Sequence, residues 1–229
     1  MEKLSVELYF ARHGKTMLNT ADRMQGWADT PLTNAGVEVA TFLGKGLRDQ
    51  KFVSVYSSDS GRTIETAKII LENSGQTNLR IQKRKQLREV CFGDHEGELN
   101  QVYWDKLSSM GGFSVDDFQD KPDIKSFLDL NVTLDKSGQA ENWEQLITRS
   151  KSELDRIVQE SMKFGGGKVL IVSHGVTIMT LLTVLNDGVN QLVPLDNSSI
   201  SKVVYEDGKY NVLSINDMTY IKSGMSADK

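Results

Sequence analysis

Two of the three histidines in the chain are each followed by glycine, at His13-Gly14 and His174-Gly175. Each pair sits just past a run that reads as a buried strand, residues 4–11 and residues 168–173. Arg12 precedes the first pair. Arg62 holds an equivalent loop position after a further strand candidate, residues 52–57. Guanidinium forks bind phosphate or carboxylate oxygens through two parallel hydrogen bonds. A glycine beside each histidine lets another group, or the backbone itself, come close. Two histidines and two arginines, with helix N-termini arriving from the same side, make an anion site, and a phosphoryl group suits it. A neutral imidazole can also attack phosphorus and form a phosphohistidine, which water then hydrolyses. That chemistry needs positive charge around the equatorial oxygens and a general acid for the leaving alkoxide. Glu89, Glu96 and Glu98 are carboxylates within one short stretch from which such an acid could come.

Strands and helices must place these residues. The polar, turn-rich residues 15–33 lead to a helix capped by Thr33 or Asn34, with Ala40, Leu43 and Leu47 on one face. A helix over about residues 63–72 follows the second strand, and residues 79–82 form a short strand candidate. A long amphipathic helix spans about residues 141–164, with Trp143, Leu146, Ile147, Leu154, Ile157 and Val158 on one face as core. After His174-Gly175 a helix runs to about Leu185, and Asp207-Gly208 marks a hairpin between residues 199–206 and 210–216. The alternation predicts an α/β fold with a mostly parallel sheet, in which ligands bind beyond the carboxyl ends of the strands. Residues 95–140 break the pattern with Gly97, Gly111, Gly112, Pro122 and Gly138, and read as a cap or lid inserted into a single domain spanning residues 1–229.

Composition narrows the function classes. The chain has 229 residues, enough for a sizeable core without a disulfide or metal. Its net charge of −4 argues against general nucleic-acid or anionic-membrane binding. Cys91 is the one cysteine, which excludes an intrachain disulfide and a thiolate cluster; it reads as a small buried side chain. No apolar run reaches the ~20 residues of a membrane helix. Glu2 and Glu7 interrupt any signal-peptide core, so the cytoplasm is the expected compartment.

Five ordered blocks resemble the histidine phosphatase superfamily, in the branch that includes cofactor-dependent phosphoglycerate mutase. They are residues 8–19, with Arg12-His13-Gly14 and Asn19; residues 25–36, opening on Gln25-Gly26-Trp27; residues 57–67, around Arg62; residues 87–97, with Glu89 before Phe92-Gly93; and Val172-Ser173-His174-Gly175. The resemblance implies a three-layer α/β/α sandwich and a role for each matching residue. His13 would be the phosphorylated nucleophile. Arg12, Arg62 and His174 would bind the phosphoryl group, and Glu89, at the family position, would be the proton donor. Asn19 and Gln25 would line the pocket with polar donors, while Gly26 and Gly175 would contribute backbone. The family uses no metal, and no cofactor is expected. His95 reads as a bystander at the lid's edge.

Three functions fit such a chain. The first is metal-independent hydrolysis of a small-molecule phosphomonoester. The second is phosphoglycerate mutation, and the third is phosphate-ligand binding without catalysis. Mutases of the family resemble Glu-Arg-His-Tyr-Gly at the acid block, where this chain has Glu89-Val90-Cys91-Phe92-Gly93. Its insertion from Glu98 to Glu141 contains no arginine and nine acidic residues against four lysines, a poor match to small polyanions. This favours the phosphatase. The binder is disfavoured because no catalytic position is lost. The lid aromatics Tyr103, Trp104, Phe113, Phe118 and Phe127 are expected to pack the lid onto the main domain, or, if some face the pocket, to contact an apolar part of the substrate. Homodimers are common in related proteins and form a further expectation.

Overall fold

The computed structural model describes residues 4–112, 123–186 and 194–226. Its strands, in chain order, are β1 (Ser5–Arg12), β2 (Phe52–Ser57), β3 (Ile81–Lys83), β4 (Gly167–Ser173), β5 (Ile200–Glu206) and β6 (Lys209–Asp217). They form one sheet in the order β3-β2-β4-β1-β5-β6. The β3-β2, β2-β4 and β4-β1 pairs are parallel, and β5 runs antiparallel to both its neighbours. This is the α/β, mostly parallel architecture that the strand–helix alternation predicts.

The continuous apolar runs are explained by burial on both faces of the sheet. Val6, Leu8 and Phe10 of β1 point into one core with Val169 and Ile171. There they meet α6 (Trp143–Lys163) and α7 (Gly175–Leu185), through Leu154, Ile157, Val158, Ile178 and Leu181. Tyr9 and Ala11 point the other way, with Val55, Leu170 and Val172. That face is covered by α2 (Asn34–Gly46), α3 (Gly61–Ser74) and α8 (Thr219–Ser226), through Leu43, Ala67, Ile70 and Ile221. The period-2 alternation of strand side chains thus produces the three layers. On α6, Leu146, Leu154, Ile157 and Val158 are buried, while Trp143 and Ile147 are partly buried.

Local details differ from expectation in a few places. Residues 15–33 include a one-turn helix, α1 (Met17–Thr20), closed by a reciprocal cap between Thr16 and Asn19. Strand β3 starts two residues later than predicted, because only three positions, opposite Val55, Tyr56 and Ser57, pair at this edge. Helix α3 extends beyond its predicted ends, from the N-cap Ser60 to a left-handed Gly75. At the hairpin, Asp207 and Gly208 both take positive φ, 53° and 80°, as a type I′ turn demands.

Within residues 95–140, α4 (Asn100–Gly111) and α5 (Ile124–Leu134) surround a third apolar cluster. Tyr103, Leu107, Phe127 and Leu128 bury there against Phe92, Val90 and Leu146. Trp104 stacks on Phe127 at 5.3 Å. Tyr103 and Phe127 therefore pack the insertion, with Trp104 partly buried against them; Phe113 and Phe118 lie outside the described residues. The entry to α4 is stitched to the segment after α1: Met24 N donates to Glu98 O, Gly97 N to Met24 O, and Asn100 N to Asp22 O.

The α2–α8 crossing is a backbone contact. A Cβ on Gly46 would collide with the carbonyl of Tyr220, and one on Gly224 with the carbonyl of Phe42. Gly46→Ala or Gly224→Ala gains about 1 kcal/mol of helix propensity. The obstacles are main-chain atoms that cannot rotate away, so overpacking dominates, and the expected net loss is about 1–3 kcal/mol. Urea denaturation midpoints check this; an unchanged midpoint for either variant contradicts it.

Candidate active site

The site lies at the carboxyl ends of β1 and β4. Parallel pairing sets Arg12 opposite Ser173, and His13 N donates to Ser173 O at 3.0 Å. The next residues on the two strands, His13 and His174, therefore emerge side by side, their rings 5.4 Å apart.

The hydrogen bonds assign the tautomers. His13 Nδ1 is 2.8 Å from Gly14 O, which can only accept, so Nδ1 carries the proton and Nε2 keeps its lone pair. His174 Nδ1 is 2.9 Å from Arg62 Nη2, which can only donate, so the proton of His174 sits on Nε2. Burial, reinforced by the charges of Arg62 and Arg12, holds His13 well below the ordinary histidine range. Burial and the charge of Arg62 do the same to His174. Both imidazoles are neutral at pH 7.

Arg62, in the first turn of α3, is 0% exposed. Its Nη1 donates to Ala28 O at 2.9 Å and to Asp29 Oδ1 at 3.0 Å, and its Nη2 to Gly26 O at 2.7 Å. Arg12 donates through Nη1 to Leu195 O. Three buried N–H groups have no hydrogen-bond partner among the described residues: Arg12 Nε, Arg62 Nε and His174 Nε2. Buried donors are normally paired, so unpaired ones around a nucleophilic nitrogen describe a socket for an oxyanion.

Glu89 is buried beside the N-terminus of α7. Its Oε1 accepts from Thr177 N at 2.9 Å and Val90 N at 3.0 Å, and its Oε2 from Val176 N at 3.0 Å. The Thr177 hydroxyl is also 3.0 Å from Oε1. Oε2 thus has fewer partners than Oε1. Glu96 has a different task. It accepts from the backbone N–H of Gly26, Trp27, Ala28 and Phe92 at 2.7–3.0 Å, tying the 26–28 loop to the acid block.

The remaining sequence candidates divide. Asn19 Oδ1 is used by Thr16 N at 3.2 Å, while its Nδ2 has no hydrogen bond among the described residues. Gln25 is committed at both ends, accepting from Thr16 Oγ1 at 2.6 Å and donating to Thr30 Oγ1 at 3.0 Å. Gly26 donates its N–H to Glu96 and gives its carbonyl to Arg62. Gln25 and Gly26 therefore brace the loop, and of the two N–H groups on the Gln25 amide one goes to Thr30. Gly175 packs beneath Arg12, where an added Cβ would stand 3.4 Å from Nε. His95 faces Glu98 Oε2 at 2.8 Å within the lid, and Cys91 is a buried free thiol.

Asp29, Glu141 and Arg149 were missed from sequence. Asp29 lay in view beside Pro31, and its use as the partner of a buried arginine is visible only in three dimensions. Among the described residues no group of three or more His, Cys, Asp or Glu side chains could hold a metal, and no helix is long and apolar enough to cross a membrane.

Residues 8–218 match the family model described as histidine phosphatase superfamily (branch 1). The chain belongs to this superfamily of phosphatases and mutases. A relative named probable phosphoglycerate mutase GpmB, from Yersinia pestis, is 29% identical over 214 residues, 90% of this chain and 87% of that protein. A solved structure described as phosphoglycerate mutase from Bacillus anthracis is 46% identical, with a TM-score of 0.93 and 98% of each chain covered. A mycobacterial glucosyl-3-phosphoglycerate phosphatase shares the fold, with a TM-score of 0.74 at 22% identity over 93% of this chain and 99% of its own.

The buried histidines make stability depend on pH. Their folded pKa values lie below the unfolded value of 6.5, so below that pH the unfolded chain binds more protons than the folded one. Stability is full above about pH 6.5 and falls as the pH drops, by up to about 1.4 kcal/mol per unit for each histidine. Urea melts at pH 7.5, 6.5 and 5.5 should show this slope. It should shrink in His13→Gln and again in His13→Gln/His174→Gln; an identical slope in all three proteins contradicts the assignment.

Proposed function

We propose that the protein hydrolyses small-molecule phosphomonoesters through a phosphohistidine on His13. The supporting observation is the neutral His13, with Nε2 free, beside three unpaired buried N–H groups. Arg12, Arg62 and His174 bind the equatorial oxygens, as transition-state charge requires. The Nε2 lone pair of His13 attacks phosphorus while the bond from phosphorus to the ester oxygen breaks. The departing oxygen takes a proton from the Glu89 carboxyl. In the second half-reaction Glu89 accepts a proton from water, the water oxygen bonds to phosphorus, and the N–P bond breaks. Inorganic phosphate leaves and His13 is restored. The positive charge comes from side chains, so no metal is invoked. Asn19 Nδ2 is a further donor to the bound group.

The non-phosphate side favours hydrolysis over mutation. Val90, Cys91 and Phe92 occupy the positions where mutases of the family resemble Arg-His-Tyr, and all three are buried, with Val90 and Phe92 in the lid's apolar cluster. Residues 90–92 thus offer no cation to a glycerate carboxylate, and the one arginine of the block, Arg88, is paired with Asp59. Phosphoglycerate mutation is the second reading, favoured by the name of the 46%-identical structure.

Phosphate release from aryl phosphates, sugar phosphates, nucleotides and both phosphoglycerates, measured in EDTA, separates the two. Hydrolysis predicts metal-independent release that is lost by a factor of about 10³ or more in His13→Ala, together with an acid-labile phosphoenzyme in the native protein only. Isomerisation of 3-phosphoglycerate primed by bisphosphoglycerate, faster than any release of phosphate, contradicts hydrolysis and supports the mutase.

A further inference from the structure

Arg149 lies on α6, outside the residues that form the oxyanion socket. Its guanidinium gathers the backbone of the acid block. Nη1 donates to Gln86 O at 2.7 Å and to Arg88 O at 2.8 Å, and Nη2 donates to Glu89 O at 2.8 Å. Nε and Nη2 also form a bidentate pair with Glu141, at 2.6 and 2.7 Å. Glu141 continues the hold: its Oε2 accepts from Cys91 N at 3.0 Å, and its own N–H donates to Cys91 O at 3.0 Å.

Three carbonyl oxygens that share one guanidinium are drawn together by its charge. Without Arg149 the turn through residues 86–89 keeps Thr177 Oγ1 on Arg88 O and Trp27 Nε1 on Glu89 O, but loses the one group that joins its three carbonyls. That turn delivers Glu89, whose carboxylate must meet the N-terminus of α7 on one side and a leaving oxygen on the other. A displacement of about 1 Å at such a residue is enough to cost two orders of magnitude in rate.

We propose that Arg149, fixed by Glu141, is the positioning residue for the proton donor Glu89. This rests on the reading of Glu89 as the acid that protonates the leaving oxygen. It makes a demand that general structural support does not. An ester whose leaving group departs as a stable phenolate needs no proton, whereas an alkoxide does. Loss of positioning must therefore fall on alkyl phosphates.

The test compares kcat/KM for 4-nitrophenyl phosphate and glycerol phosphate in the native protein, Glu89→Gln, Arg149→Met, Arg149→Lys and Glu141→Gln. Glu89→Gln should lose about 10²–10⁴-fold on the alkyl ester and far less on the aryl ester. Arg149→Met should show the same bias, about tenfold or more, with Arg149→Lys between it and the native protein, because an ammonium lacks the planar fork. Equal losses on both esters in the Arg149 variants, with the bias intact in Glu89→Gln, overturn the positioning role alone. Absence of bias in Glu89→Gln overturns the proton-donor reading and the positioning role together. If Arg149→Met fails to fold by circular dichroism, Glu141→Gln carries the test, and an unbiased loss there overturns the proposal.

Discussion

The site depends on keeping one guanidinium fully out of water. A buried charge that loses its partners costs several kcal/mol, so the chain must bring acceptors to Arg62 wherever it lies. It does so by folding the 26–29 loop over the N-terminus of α3, where two carbonyls and the Asp29 carboxylate meet Nη1 and Nη2. The loop's own amide hydrogens then need acceptors, and Glu96 supplies them. The remaining Nη2 hydrogen faces His174 and determines which nitrogen of that ring is protonated. One buried cation thus sets a loop, a carboxylate and a tautomer, and leaves its Nε for a ligand.

The sheet and the helices divide the remaining work. Parallel pairing of β1 with β4 brings the two histidines together without any direct bond between them. The start of α7 presents Val176 N and Thr177 N to Glu89. The positive end of a helix and its unpaired amides are natural company for a carboxylate. His13 is thus placed by the sheet and the Glu89 carboxylate by a helix end.

Much of this was legible in the residues. His13, His174, Arg12 and Arg62 could be found because parallel strands end at the site and charged residues stand out against their apolar runs. Glu89 was separable from Glu96 by its place in a motif, and the structure shows their different surroundings. Gln25 and Gly26 also brace the loop through Thr30 and Glu96, a use that sequence does not show. Arg149 and Glu141 were not legible at all. Their partners are main-chain atoms, and a carbonyl carries no residue type for a pattern to find. The lid aromatics show the reverse limit: Tyr103 and Phe127 could be recognised as apolar, but which surface they cover depends on how α4 and α5 meet.

The strand order has a bearing on how the protein comes into being. β1 is made first, yet it lies between β4 and β5, whose residues are 167–173 and 200–206. The backbone of Arg12 and His13 therefore waits for Ser173 on one side and Ser199 on the other, both distant in sequence. Contacts so distant in sequence form slowly. During that interval the apolar β1 is an unpaired strand, the kind of segment on which chaperones act and from which aggregation starts. The central position that holds His13 between two strands in the finished molecule also makes its strand contacts slow to form.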